Sequence, residues 1–261
     1  MARLTLSLLL AALLAAGQIP KTEIERHLRS FENTNFKREL KLQSMFEEAG
    51  CIGDNLTEQR VKHAQAPNVI CTLPGSTGSQ IIVGAHFDFV DRGKGVVDNW
   101  SGCSLLPSLF QSLKETPRRH TFVLIGFTNE EAGLVGSRFY VHQLSKEDRR
   151  NIQAMVNLDS LGLSPTKMDL ADKKLAQALV TVARSSNLPL TLMNVRNLGR
   201  SDSDSFQDKS IPSITIHSVT ADNWPILHSP RDQLSAIHLD DYYDTYLLIR
   251  AYLAYLDDVH P

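Results

Sequence analysis

Three short apolar runs constrain this chain most: residues 81–83, Thr121–Phe127 and Ile152–Leu158. Each is bounded by polar residues, and stretches of helical periodicity lie between them. Strands buried on both faces lose the in–out alternation of an exposed sheet and read as continuous hydrophobic runs. Strands alternating with helices at this spacing predict an α/β fold of three layers. The runs end in chemistry. His86 and Asp88 follow the first, with Asp98 before the next helical stretch; Glu130 and Glu131 follow the second, and Asp159 the third. In open α/β sheets ligands bind beyond the carboxyl ends of the strands, so these residues are expected to share one site.

The remaining elements are read from periodicity and punctuation. Thr22 and Glu25 form a capping-box pattern that predicts a helix with Ile24, Leu28 and Phe31 on one face. A second helix is expected over residues 36–49, stopped by Gly50. Strands are expected at 57–62, 68–73, 190–195 and 211–217, and helices over 101–113, from near Val135, over 172–185 and over 240–256. In the last helix, Tyr243, Leu247, Tyr252 and Leu256 are available for one face. No Pro/Ser-rich linker interrupts this order, so residues 18–261 are expected to form a single domain.

Residues 1–17 differ in kind. Arg3 precedes an apolar run over 4–16 that is too short to cross a bilayer comfortably, and small residues follow at Ala15, Ala16 and Gly17. This reads as a signal peptide of a secreted or periplasmic protein, with no stable membrane association after its cleavage. A formal net charge of −2 provides no basic stripe, so nucleic acid is not an expected partner. Cys51, Cys71 and Cys103 are an odd set. A Cys51–Cys71 bridge would tie a loop to a strand; three reduced, partly buried thiols are the alternative. Asn55 and Asn99 each open a glycosylation sequon, and the second falls inside the expected site.

His86, Asp88, Asp98, Glu130, Glu131 and Asp159, with His228 in the loop after the last strand, make a carboxylate-rich set with two imidazoles and no thiolate. Such donors suit zinc, with cobalt or manganese as alternatives. Two zinc ions sharing one carboxylate require five protein ligands. Adjacent Glu130 and Glu131 cannot present the same atom to the same point. One is therefore expected to ligate while the other stays free as a general base. Asp88 suits the orientation of His86, since a ligating imidazole commonly donates its second N–H to a carboxylate. His120, His217 and His238 read as ordinary strand-end or surface histidines.

The segments GAHFD, VVDNWSG, TNEEAGLVGS, NLDSLG and LHSPRD, in that order from residue 84 to residue 232, resemble the secreted di-zinc aminopeptidase family. Its relatives include bacterial leucyl aminopeptidases, glutamate carboxypeptidases and animal glutaminyl cyclases. The resemblance implies an α/β/α sandwich around a mostly parallel mixed sheet. It implies two zinc ions bridged by Asp98, with His86 and Asp159 completing one site and Glu131 and His228 the other. Glu130 would be the general base and Asp88 the residue orienting His86. A cis peptide would join Asp98 to Asn99. The implied activity is removal of N-terminal residues from short peptides by a metal-bridged water. Two other functions remain open: a one-zinc glutaminyl cyclase-like acyltransferase forming N-terminal pyroglutamate, and a non-catalytic binding domain. Two departures stand out. The segment Ser201-Asp202-Ser203 has Ser where many relatives carry His, and Trp100, which replaces a small residue, is expected to pack under the helix or else to narrow the pocket. The side-chain preference and the oligomeric state are not encoded in any of these motifs.

Overall fold

A computed structural model describes residues 17–169, 172–194 and 199–259. Apart from Gly17, the segment expected to be a signal peptide lies outside the described residues. The chain opens with helices α1 (Lys21–Arg29) and α2 (Asn35–Ala49), then strands β1 (Leu56–Gln59), β2 (Asn68–Leu73) and β3 (Gln80–His86). A π-turn over Val96–Trp100 and a short turn at Ser101–Cys103 lead into α3 (Leu105–Lys114). The order continues β4 (Thr121–Phe127), α4 (Val135–Gln143), α5 (Lys146–Asn151), β5 (Ile152–Leu158) and β6 (Lys167–Met168). It closes with α6 (Lys173–Ser186), β7 (Thr191–Leu192), α7 (Asp202–Gln207), β8 (Ser213–His217) and α8 (Leu239–Val259).

The strands form one 8-stranded mixed sheet in the order β1-β2-β4-β3-β5-β8-β6-β7. Its centre, β4-β3-β5-β8, is parallel throughout, while β1 and β2 add antiparallel at one edge and β6 runs antiparallel to β8. The expected three layers follow from side-chain alternation within the apolar runs. Ile81, Val83 and Ala85 of β3 join the core under α1, α2, α3, α6 and α8. Ile82, with Val123, Ile125, Phe127 and Met155, packs on the opposite face against Tyr140 of α4 and Phe206 of α7. Because the central strands are parallel, His86, Phe127, Leu158 and His217 all end at the same edge of the sheet.

Several local expectations change. α1 starts one residue before Thr22, and the carbonyl of Pro20 accepts from Glu23 and Ile24, so the Thr22–Glu25 capping box does not form. The strand expected at 190–195 is confined to Thr191–Leu192, whose side chains are exposed, and Val195 lies outside the described residues. In α8 the buried face is built by Tyr242, Tyr246, Ile249, Leu253 and Leu256; Tyr243 and Leu247 are only half-buried. Helices α5 and α7 have no apolar period, and each is started instead by a capping box, Ser145 with Asp148 and Ser201 with Asp204. Gly50 stops α2 as expected, at φ 94° in the left-handed region.

Cys51, just after α2, and Cys71 in β2 form a disulfide, and Cys103 remains a buried thiol. The bridge closes a loop between residues 20 apart in sequence. Cys51→Ala/Cys71→Ala is expected to cost about 3 kcal/mol, chiefly by freeing the unfolded chain. Thermal unfolding of the variant should show a midpoint roughly 6–12 °C lower. An unchanged midpoint would mean the bridge does not form in the folded protein.

Candidate metal centre

The site is assembled where the four parallel strands end. His86 is the last residue of β3, and Asp98 lies in the π-turn that follows, with a cis peptide to Asn99. Asn99 clamps this turn to the end of β5. Its side-chain amide donates to the Leu158 carbonyl at 2.8 Å, and its Oδ1 accepts from Gly102 and Ser160 at 3.0 and 3.2 Å. Asn99 is fully buried with both polar groups engaged, so its sequon offers no acceptor for a glycan. A Cβ at Gly102 would lie 2.4 Å from the Leu158 carbonyl oxygen, so glycine is required for the turn to approach β5 this closely. Trp100 points away from the site; it is fully buried and donates its indole N–H to the His27 carbonyl.

The five expected ligands converge. His86 Nε2 lies 3.3 Å from one Asp98 oxygen, and His228 Nε2 lies 3.1 Å from the other. Asp159 is 3.9 Å from His86 Nε2, and Glu131 is 3.0 Å from His228 Nε2. The donor atoms of His86, Asp98 and Asp159 lie within 4.8 Å of one another, as do those of Asp98, Glu131 and His228. Two triads therefore share Asp98. Glu130 stands beside them, 3.9 Å from His86 Nε2. Backbone geometry at the rim is unusual: Asn129, Ser160 and His228 have φ of 52°, 54° and 52°. Non-glycine residues in the left-handed region carry a cost that surrounding structure must hold, and they gather at functional sites.

The Asp88 side chain is engaged chiefly with the paired glutamates. Its carboxylate accepts from the backbone N–H of Glu130 at 3.0 Å and of Glu131 at 3.1 Å. Its approach to His86 Nδ1 is longer, at 3.5 Å, and the hydrogen bond to that nitrogen is made by the Asp88 main-chain carbonyl at 3.1 Å. Asp88 thus ties the end of β3 to the paired glutamates after β4. On the other side Asp232 accepts from the backbone N–H of Val97 at 2.8 Å and of Asp98 at 3.3 Å. Sequence reasoning gave Asp232 no role, although it closes the LHSPRD segment; its burial shows only in the structure. Buried Asp202, also unassigned, lies within electrostatic reach of His86, Asp88 and Asp159, and burial pushes its carboxyl up to about 7.

Burial and mutual repulsion dominate the electrostatics. Burial, reinforced by Asp202, Asp159 and Asp98, pushes Glu130 up to about 10 despite the opposing pull of His86. Burial likewise raises Asp159 to about 6 and Asp232 to about 6, and lifts Glu131. Hydrogen bonds to the Asp98 and Glu131 carboxylates raise His228 to about 10. Burial opposes the imidazolium of His86, but the carboxylates of Glu130, Asp88, Asp98 and Asp159 outweigh it and hold its pKa well above the ordinary value. Burial also disfavours the Asp98 carboxylate, yet His228 and His86 hold its pKa below the usual range. So many buried acids need cationic counter-charge, and their oxygen and imidazole donors fit divalent metal.

The donors line one side of a cavity of about 410 Å³. Leu134, Val219, Trp224 and Leu227 form apolar parts of its wall, with Thr215 and His217 among its polar ones. His217 is held by the Met193 carbonyl and the Val219 N–H, and so belongs to the wall and not to either triad. His120 is buried against Asp257, and His238 is exposed beside Asp241. Ser203 spends its hydroxyl on Thr215 at 2.8 Å.

The model of peptidase family M28 matches residues 68–253. An aminopeptidase of Pseudomonas aeruginosa is 34% identical over 102 residues, covering 39% of this chain and 19% of that protein. Leucine aminopeptidase 2 of Trichophyton rubrum is 34% identical over 96 residues, covering 36% of this chain and again 19% of the relative. The matched part thus spans about a fifth of these relatives. Among solved structures, a zinc aminopeptidase from Bacillus subtilis is similar with a TM-score of 0.66 and 25% identity, over 72% of this chain and 49% of the other. A glutaminyl cyclase from Macrostomum lignano shares the fold, with a TM-score of 0.75 and 16% identity over 97% and 93%.

Proposed function

Because the chain belongs to peptidase family M28, we propose that it is a zinc-dependent aminopeptidase that removes N-terminal residues from short peptides. His86, Asp98 and Asp159 would hold one ion, and Asp98, Glu131 and His228 a second. The observation that carries this reading is the split of Asp98, one oxygen facing His86 and the other facing His228. Zinc bound there would polarise the scissile carbonyl and make water acidic enough to attack at neutral pH.

The chain's own residues do the rest. Glu130 accepts the proton of the attacking water and passes it to the nitrogen of the leaving amine. Asp88 grips the N–H groups of Glu130 and Glu131, so base and ligand keep their relative positions. Asp232 does the same for the turn that carries Asp98. The apolar wall of Leu134, Val219, Trp224 and Leu227 receives the substrate side chain. Export also forms part of the reading: residues 1–17 act as a signal peptide, and residues 18–261 are the mature domain. The Cys51–Cys71 bridge supports an oxidising compartment. Among the described residues no helix is long and apolar enough to cross a membrane.

A paired assay on the zinc-loaded protein tests the activity. Free amino acids should be released from unblocked dipeptides and aminoacyl anilides, with no ammonia from N-terminal glutaminyl peptides. Ammonia release without hydrolysis would replace this reading with a glutaminyl cyclase. Silence in both arms with zinc bound would reject aminopeptidase activity.

A further inference from the structure

The strongest unassigned feature is a buried cation behind the metal centre. Arg38 of α2 is fully buried, and the side-chain hydrogen bonds it makes go to main-chain carbonyls and not to carboxylates. A buried charge without a salt-bridge partner is costly unless every donor is used. Each of the three guanidinium nitrogens of Arg38 donates to a main-chain carbonyl: Nε to Glu32 at 2.9 Å, and the two terminal nitrogens to Phe87 at 3.1 Å and to Lys94. Its planar group also stacks over Phe89, 4.1 Å from the ring centre, with Trp100 at 5.7 Å.

These contacts have a geometric consequence. Phe87 separates His86 from Asp88, and Lys94 stands one residue, Gly95, before the turn that bears Asp98. One rigid fork therefore joins the two limbs of the 87–94 loop, one leaving the His86 end and one entering the Asp98 end. Lys94 continues the brace, because its N–H donates to the Asp232 carbonyl at 2.8 Å while the Asp232 carboxylate holds Val97 and Asp98. The charge is complementary as well: Asp232, Asp88 and Asp98 are the acids whose fields Arg38 feels. Arginine suits this place because its planar fork holds donors in fixed directions on three separated nitrogens, whereas an ammonium is a compact point charge on a flexible stem.

We infer that Arg38 is a positioning residue of the metal centre, which sets the separation of His86 from Asp98 through Phe87 and Lys94 and thereby sets metal affinity. This inference rests on the metal-centre reading above. A purely structural role would lower stability and leave the affinity of the folded protein alone.

The test compares Arg38→Met, Arg38→Lys and Met45→Ala with the unaltered chain. Met45 lies on the same helix, is buried and lies outside the centre, so Met45→Ala destabilises without touching it. Zinc affinity is read by competition with a chromogenic chelator below each variant's unfolding temperature, and the visible spectrum of the cobalt-loaded protein reports ligand geometry. Arg38→Met is expected to bind zinc about 10- to 100-fold more weakly, the usual effect of losing a group that orients ligands, and to shift the cobalt bands. Met45→Ala should lower only the unfolding temperature. If Arg38→Met does not fold, Arg38→Lys carries the test in the same direction, since it cannot span both limbs. Affinity within twofold of the unaltered chain in a folded Arg38 variant, or an equal loss in Met45→Ala, overturns the inference while leaving the metal centre standing. An unaltered chain that takes up no zinc overturns both.

Discussion

Glu130→Gln is expected to reduce peptide hydrolysis about 100- to 10,000-fold, the range associated with losing a general acid–base group. Zinc uptake and folding should be unaffected. The substitution keeps the size of the side chain and leaves the backbone N–H of residue 130 on Asp88. What it removes is the ability to accept a proton at this one point. Turnover of an aminoacyl anilide, measured beside zinc content, separates the possible roles. Loss of turnover with full zinc content identifies a base. Loss of both would make Glu130 a ligand, and the proximity of His86, Glu130 and Glu131 donor atoms makes that outcome a meaningful one to measure.

Asp98→Asn has the second large expected effect. Asp98 is common to both triads, so one substitution weakens both. A neutral amide offers one acceptor oxygen where the carboxylate offers two, and it removes the anion on which His86 and His228 converge. Turnover should fall to background. Stability gives an independent reading: a ligand held only by the folded state stabilises by about 4 kcal/mol at a thousandfold excess over its dissociation constant. Thermal unfolding of the unaltered chain should therefore shift upward when zinc is added after chelation, and that of Asp98→Asn should not. A zinc-dependent shift of equal size in the variant would show that Asp98 is not the shared ligand.

Much of the architecture was legible because the central strands are buried on both faces. Thr121–Phe127 and Ile152–Leu158 appear with the bounds read from their apolar runs, and the acids beyond them fall at one edge because the strands are parallel. Trp100, expected from sequence to pack inward, is fully buried and donates to the His27 carbonyl. What stayed illegible depends on contacts between distant segments or on local hydrogen bonds without hydrophobic period. Helices α5 and α7 are of the second kind, and their Ser-x-x-Asp caps were the only trace. Asp232 and Arg38 are of the first: each acts on backbone more than 40 residues away in sequence, and nothing local distinguishes either from a surface charge.

By itself, then, the sequence determined the layered α/β class, the strands that face the site, and the chemical identity of every ligand candidate, because hydrophobic period and donor type are local properties of a chain. Only the tertiary structure decided that Asp98 faces both histidines, that Asp88 grips the two glutamates by their N–H groups, and that Arg38 and Asp232 brace the connecting loop. Those outcomes depend on strand order and on backbone groups brought together across the sheet edge. Such distances are set by packing of the whole core and appear in no segment taken alone.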